Sequence, residues 1–427
     1  MVIHVVAPGE TVYEIALSYG VPMSQVVADN ELSNAARLVV GQTLVIRFPK
    51  QVHTVRSGET LTGIARQYGL SLRQIYRKNP ILQGEPVIYP GQTLVIAYEE
   101  EPSLGNLSVN GYAYPFIDQG LLQRTLPYLT YLTPFTYGFT PTGALVDLDD
   151  ATLIRMAKAG GVAPLMHLST LTEEGGFSNE LAHIALTDQA VQDILIQNVR
   201  QNLDQKGYRG LDVDFEYVRP EDAEAYAAFI RHLSDTLNPL GYPVITALAP
   251  KTSATQRGLL YEGHNFRSIG AASNEVLLMT YEWGYTYGPP MAVAPLPNVR
   301  QVVEYALTEI PARKIWLGMP NYGYDWPLPF VQGQTKAQSI SPQLAVSRAW
   351  KYHAEIQYSE RSQAPWYRYV DETGREHEVW FEDARSVQAK LALIPEYGLL
   401  GAGYWNLMRP FPQNWRVLDA EYTIRTA

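Results

Sequence analysis

The segment His4–Thr11, reading HVVAPGET, returns as His53–Thr60, reading HTVRSGET, and both copies close on the identical stretch GQTLVI at Gly41–Ile46 and Gly91–Ile96. Such a repeat confines the start of the chain to two copies of one small unit. Between those ends, Ile15-Ala16 matches Ile64-Ala65, Tyr19-Gly20 matches Tyr68-Gly69, and Asn30 matches Asn79. The offset grows from 49 to 50 before the closing stretch, so one residue is inserted in the loop that precedes it. Val12, Ile15, Ala16 and Tyr19 share one helical face, as do Leu61, Ile64, Ala65 and Tyr68. Thr11 and Thr60 stand where a helix is capped, and Gly20 and Gly69 where it ends. With a β-prone segment at each end, the pattern predicts two βααβ modules, over 2–48 and 52–98. An acidic, Pro-containing linker over 99–106 follows.

The opening HxVxxGET, the IAxxYG helix, the Asn and the closing GQTLVI resemble the LysM domain, twice in tandem. That resemblance implies binding of N-acetylglucosamine-containing glycans, peptidoglycan or chitin, in a shallow groove between two loops. Carried over by position, the groove residues would be Gly9, Glu10, Thr11 and Asn30 in the first copy. In the second they would be Gly58, Glu59, Thr60 and Asn79. Read alone, the same residues also serve as ordinary turn and cap residues.

Beyond the linker, residues 107–427 alternate short apolar strands with amphipathic helices, the pattern of a parallel α/β fold. Eight candidate strands lie near Leu107–Tyr112, Tyr131–Phe135, Gly161–Met166, Gly210–Phe215, Val244–Leu248, Val276–Tyr281, Ile315–Met319 and Gly401–Trp405. Eight strands close a (β/α)8 TIM barrel. The stretch between the last two is too long for a simple connection. Its aromatic runs Trp366–Val370 and Glu378–Phe381, joined through Asp371–Gly374, predict a small α+β insertion near 340–385 that walls a cleft.

Composition narrows the chemistry. The 427 residues contain no cysteine, which excludes disulfides, thiolate-bound zinc and thiol catalysis. A formal charge of −10 argues against nucleic acid as partner. No apolar run reaches the roughly 18 residues of a membrane helix, and no signal peptide is visible at the start. The 29 tyrosines and 8 tryptophans are enough to furnish a sugar-binding cleft as well as a core.

The fourth strand carries the strongest signal. In Leu211-Asp212-Val213-Asp214-Phe215-Glu216 the acids occupy every second position, so they share one face and point into the barrel. Like charges so close cannot all ionise freely, and at least one pKa must rise. A metal cluster or an ion pair is the alternative use of such a set. Glu216, nearest the C-terminal rim, is the candidate proton donor. His167, at a strand end, reads as a structural histidine, and the histidines show no metal-ligand spacing.

GLDVDFE resembles the DGxDxDxE signature of glycoside hydrolase family 18, with Arg209 in place of the first Asp. Met279-Thr280-Tyr281 matches the family's M-x-Y, with Glu282 where Asp is usual; Pro320-Asn321-Tyr322-Gly323 matches P-x-Y-G; Trp405 matches the tryptophan under the reacting sugar. The family's S-x-G-G is absent from Leu165–Thr170. The resemblance implies a retaining mechanism in which the substrate's own acetamido group is the nucleophile. Glu216 would be the acid, Asp214 would support the oxazolinium and Asp212 would tune Asp214. Tyr281 would bond the acetamido group, and Trp405, Met279, Asn321, Tyr322 and Glu282 would bind substrate. No cofactor or metal is implied.

Two LysM copies before such a barrel resemble the layout of spore cortex-lytic and germination hydrolases. The expectation is therefore an N-acetylglucosaminidase of spore peptidoglycan, a monomer with no nucleic-acid or membrane partner, placed at the spore coat or cortex or on the cell wall. A chitinase or other endo-acting enzyme, and a non-catalytic glycan binder, are the alternatives.

Overall fold

The computed structural model describes residues 1–172 and 175–427. In the first module, strand Val2–Val5 pairs antiparallel with Thr43–Ile46 around helices Val12–Tyr19 and Met23–Asp29. The second repeats this with Pro49–Thr54, Leu61–Gln67, Leu72–Lys78 and Thr93–Tyr98. Thr11 accepts the amide of Glu14, whose carboxylate returns to the Thr11 backbone, and Thr60 accepts that of Gly63. The helical stripes Val12, Ile15, Ala16 and Leu61, Ile64, Ala65 are buried against Leu44 and Ile46 and against Leu94 and Ile96.

The barrel strands are β1 (Asn106–Ala113), β2 (Tyr131–Pro134), β3 (Ala163–Ser169, interrupted at Leu165), β4 (Leu211–Asp214), β5 (Val244–Leu248), β6 (Glu275–Leu278), β7 (Ile315–Pro320) and β8 (Gly401–Trp405). All are parallel. β3 pairs with β2 on one side and β4 on the other, and β8 returns to β1, so the ring closes. The third strand lies about three residues later than the sequence indicates. Gly160 and Gly161 still belong to the turn after helix Ala151–Ala159, and pairing runs on through His167 and Ser169. The insertion also begins earlier than 340. A five-stranded antiparallel sheet starts at Gly323–Pro327, directly after β7, and ends at Glu376–Trp380, with helix Pro342–Lys351 packed on it.

The linker does not hang free. Glu99 donates its amide to Phe48 O at 2.8 Å, and Leu104 donates to Glu421 O at 3.0 Å. Both modules are held on the barrel by charges taken out of water. Asp419 accepts from Arg77 Nε at 2.8 Å and Arg47 Nη1 at 3.2 Å. Burial pushes its pKa up, but Arg77, Arg47 and Arg416 outweigh that and hold it at about 2. Arg416 lies 3.6 Å from the buried Asp29 of the first module. Among the described residues, no helix is long and apolar enough to cross a membrane.

Removing one partner of a buried ion cluster strands the others and costs about 3–5 kcal/mol. Asp419→Ala should therefore release the modules from the barrel. Small-angle scattering should show a larger radius of gyration, and proteolysis within 99–106 should accelerate.

Candidate active site

Period-two alternation in β4 sets the site. Leu211, Val213 and Phe215 are buried outward against the helices, with Phe215 stacked at 5.6 Å on Tyr226 and 5.5 Å on Phe229. Asp212 and Asp214 consequently face the lumen. Hydrogen-bonded strand ends at Asp214, and Glu216 sits in the turn just beyond, at the C-terminal rim. Arg209, the departure from the signature, points the other way: it is exposed and donates to Gly241 O at 2.7 Å. It places no charge in the lumen.

Asp212, with no exposed surface, accepts from the Tyr112 hydroxyl at 2.6 Å. Burial pushes its pKa up to about 7, against the pull of that hydrogen bond. Burial also drives the Asp214 carboxyl well above its ordinary range, reinforced by the charges of Glu216 and Asp212. Glu216 is raised by burial and then by the Glu282 carboxylate. The row therefore holds protons at pH values where exposed carboxyls have lost theirs, as a general acid requires.

Behind Asp214 stands His167, fully buried. Its Nδ1 is 2.6 Å from Thr136 Oγ1 and its Nε2 is 3.7 Å from Asp214 Oδ2. Burial lowers the imidazole to about 3, so it is neutral. Glu282 is held by the hydroxyls of Tyr322 and Tyr324, the latter at 3.0 and 3.1 Å. Its backbone is left-handed, at φ +67°, a conformation that a residue with a Cβ adopts at a cost. The turn directs its carboxylate to the two tyrosines.

A cavity of about 230 Å³ opens at this rim, lined by Asp214, Glu216, Met279, Tyr281, Glu282 and Trp405 together with Tyr114, Phe135, Tyr261 and Trp283. Trp405 packs edge-on against Phe135 at 4.8 Å. Six of the residues expected from the sequence thus come together in one cleft. Asp212 lies one layer below it. Tyr322 reaches the site only through Glu282. Asn321 is buried beside Trp405, whose carbonyl accepts the Asn321 backbone N–H at 3.2 Å, and both polar atoms of its side chain lack partners among the described residues. The insertion's Trp366 and Trp380 stack on each other at 5.7 Å and stay outside the cleft.

Sequence reasoning passed over Tyr112, Tyr114, Phe135 and Trp283, and it read His167 as structural without placing it behind the acids. Tyr112 was open to the argument used for β4, since it alternates inward with Asn110 and Ser108 on β1. His167 follows from pairing, because it stands opposite Asp212 in the ladder.

The LysM candidates divide. Asn30 and Asn79 are buried inside their modules. Asn30 donates to Val26 O and Val45 O at 2.9 Å and accepts from Val45 N at 2.8 Å, and Asn79 repeats this with Ile75 and Val95. These amides staple the second helix to the closing strand, a structural use of residues expected to contact glycan, and Asn30 also accepts from Gln413 Nε2 at 3.2 Å. Glu10 and Glu59 brace the first loop through Ala7 N and Arg56 N, each at 2.7 Å, and through His4 and His53. Gly9 and Gly58 hold positive φ in open surroundings, and Thr11 and Thr60 are exposed caps.

Among the described residues no group of three or more side chains is arranged to hold a metal ion. The Glycosyl hydrolases family 18 profile matches residues 136–409, and the LysM domain profile matches 4–47 and 53–97. The chain is 44% identical to the cortical fragment-lytic enzyme of Bacillus subtilis (strain 168), over 99% of each chain. Among solved structures, it superposes on the spore cortex-lytic enzyme SleL of Bacillus megaterium QM B1551 with TM-score 0.84, at 38% identity over 100% of this chain and 99% of that one. A chitinase from Chromobacterium violaceum ATCC 12472 is similar over 74% of this chain and 98% of its own, with TM-score 0.69 and 25% identity. With the buried acids of β4 set below the catalytic rim of a closed barrel, the chain belongs to glycosyl hydrolase family 18 and carries two LysM domains.

Proposed function

We propose that this protein is a retaining, substrate-assisted N-acetylglucosaminidase. It hydrolyses the bond after N-acetylglucosamine in spore cortex peptidoglycan, acting as a monomer within the spore. The observation that carries the reading is Glu216, a rim carboxyl with raised pKa, standing over a buried Asp214 and Asp212 in the same cleft as Tyr281 and Trp405. Similarity to lysins of spore cortex extends over the whole chain, whereas similarity to the chitinase covers 74% of it, which favours cortex over chitin.

In this scheme the sugar at the cleavage point lies on Trp405 with its acetamido group beside Tyr281 and Asp214. Protonated Glu216 gives its proton to the glycosidic oxygen as the acetamido oxygen attacks the anomeric carbon. The leaving glycan departs with the proton, and positive charge is left on the oxazolinium ring. Asp214 supports that charge. It can do so only when a proton elsewhere in the row relieves repulsion, and Asp212, bonded to Tyr112, is the neighbour placed to take it. Glu216, now ionised, removes a proton from water, which opens the ring with the original anomeric configuration restored. Neutral His167 behind Asp214 adds no charge to this balance.

Glu216→Gln should abolish turnover, by about 10³-fold or more, because the amide has no proton to give. Asp214→Asn should cost about 10²-fold through lost orientation and charge support. Turnover retained by Glu216→Gln would remove the mechanism. A pH profile gives a separate test. The Glu282 charge favours the protonated form of Glu216, so Glu282→Gln should lower the Glu216 pKa. The acid form is then lost sooner on raising pH, and the alkaline limb of kcat/KM should move to lower pH.

A further inference from the structure

We propose that the groove between the first LysM module and the insertion helix Pro342–Lys351 is a second glycan site, taking a neutral N-acetylhexosamine chain outside the catalytic cleft. The glycan class rests on the reading above; the existence of the site rests on the groove itself.

The two modules share the GQTLVI stretch but not its surroundings. A Cβ on Gly41 would lie 1.9 Å from Ile356 O, while one on Gly91 meets nothing within 4 Å. Ile356 donates its amide to Val40 O at 2.9 Å, and Arg385 reaches Gly41 O at 3.3 Å. The first module's closing loop is therefore seated on the barrel, and the second module's stands open. Beside the seated loop lies a cavity of about 440 Å³, nearly twice the 230 Å³ of the catalytic cleft and within the usual size of ligand sites.

Its walls suit a sugar. Trp350 and Leu344 of the insertion helix are 38% and 41% exposed, unusual for such side chains beside a concave surface. The Arg37 guanidinium lies 4.3 Å from the Trp350 ring and ties the two walls together. Asn34 and Ser347 supply neutral hydrogen-bonding groups. Glu382 also lines the groove and is 1% exposed. One of its oxygens pairs with Lys390 at 2.7 Å, and the other has no hydrogen-bond partner among the described residues. A buried acceptor without a donor is costly, and a sugar hydroxyl or acetamido N–H would satisfy it. Of the acids lining the groove, Glu382 is paired with Lys390 and Asp383 with Arg385 at 2.6 Å, which leaves Glu31 and Arg37 as charges of opposite sign. With those charges balanced, the groove offers no net field to select a charged ligand, and a hydroxyl-rich neutral chain is the better fit. A strand held here, in the cleft and on the second module would gain affinity by linkage alone.

Calorimetric titration of the Glu216→Gln chain with the N-acetylglucosamine pentamer tests this. Trp350→Ala, and separately Ser347→Trp, which fills the groove from an exposed position, should each remove one site from the stoichiometry. Each should also weaken retention on intact cortex peptidoglycan by about fivefold or more. Both variants titrating like their parent would overturn the site. The readout is binding, so a chain that turned nothing over would still reveal the groove, and an enzyme without the groove would still cleave.

Discussion

Acids at alternate residues of β4 must share a space from which water is largely excluded, and the chemistry of the cleft follows from that constraint. An exposed carboxyl is ionised at neutral pH and cannot protonate a leaving group. Here the lumen denies the charged form its hydration, the charges of Glu216 and Asp212 further oppose ionisation of Asp214, and Glu282 does the same to Glu216. The barrel supplies the burial by forcing Leu211, Val213 and Phe215 outward into the helical layer. A one-residue slip of β4 would exchange the two sets and leave neither a core nor a site.

The residues around the row manage the charge that burial cannot. Tyr112 gives Asp212 its one donor, His167 stands neutral behind Asp214, and two tyrosines hold Glu282 on the far side of Glu216. Glu282 thus raises Glu216 by its charge while being partly stabilised itself. At the other face of the barrel, a second charged cluster around Asp419 serves docking. Strongly cationic surroundings hold that acid ionised, the opposite outcome to β4 from equally deep burial. The sign of the neighbours decides between a proton reservoir and an ion-pair anchor.

Features with short-range periodicity were readable in the chain. The carboxylate face of β4 needs only the alternation of LDVDFE, and the module helices need only their caps and apolar stripes. Properties that depend on distant partners were not. The roles of Asn30 and Asn79 are fixed by Val45 and Val95, fifteen or sixteen residues away. The insertion's first strand, Gly323–Pro327, is defined by its pairing with Glu376–Trp380. The seating of Gly41 on Ile356, and with it the inequivalence of two nearly identical modules, involves a residue that no repeat pattern points to. Trp366 and Trp380 had the composition of a sugar platform, yet each is the other's stacking partner.

Mass and NMR analysis of the products from cortex glycan tests the central claim most directly. Substrate-assisted cleavage by Glu216 predicts fragments ending in reducing N-acetylglucosamine, released first as the β-anomer. It also predicts no turnover of the same glycan after its N-acetyl groups are removed. Initial release of the α-anomer, or undiminished cleavage of the deacetylated glycan, would contradict it.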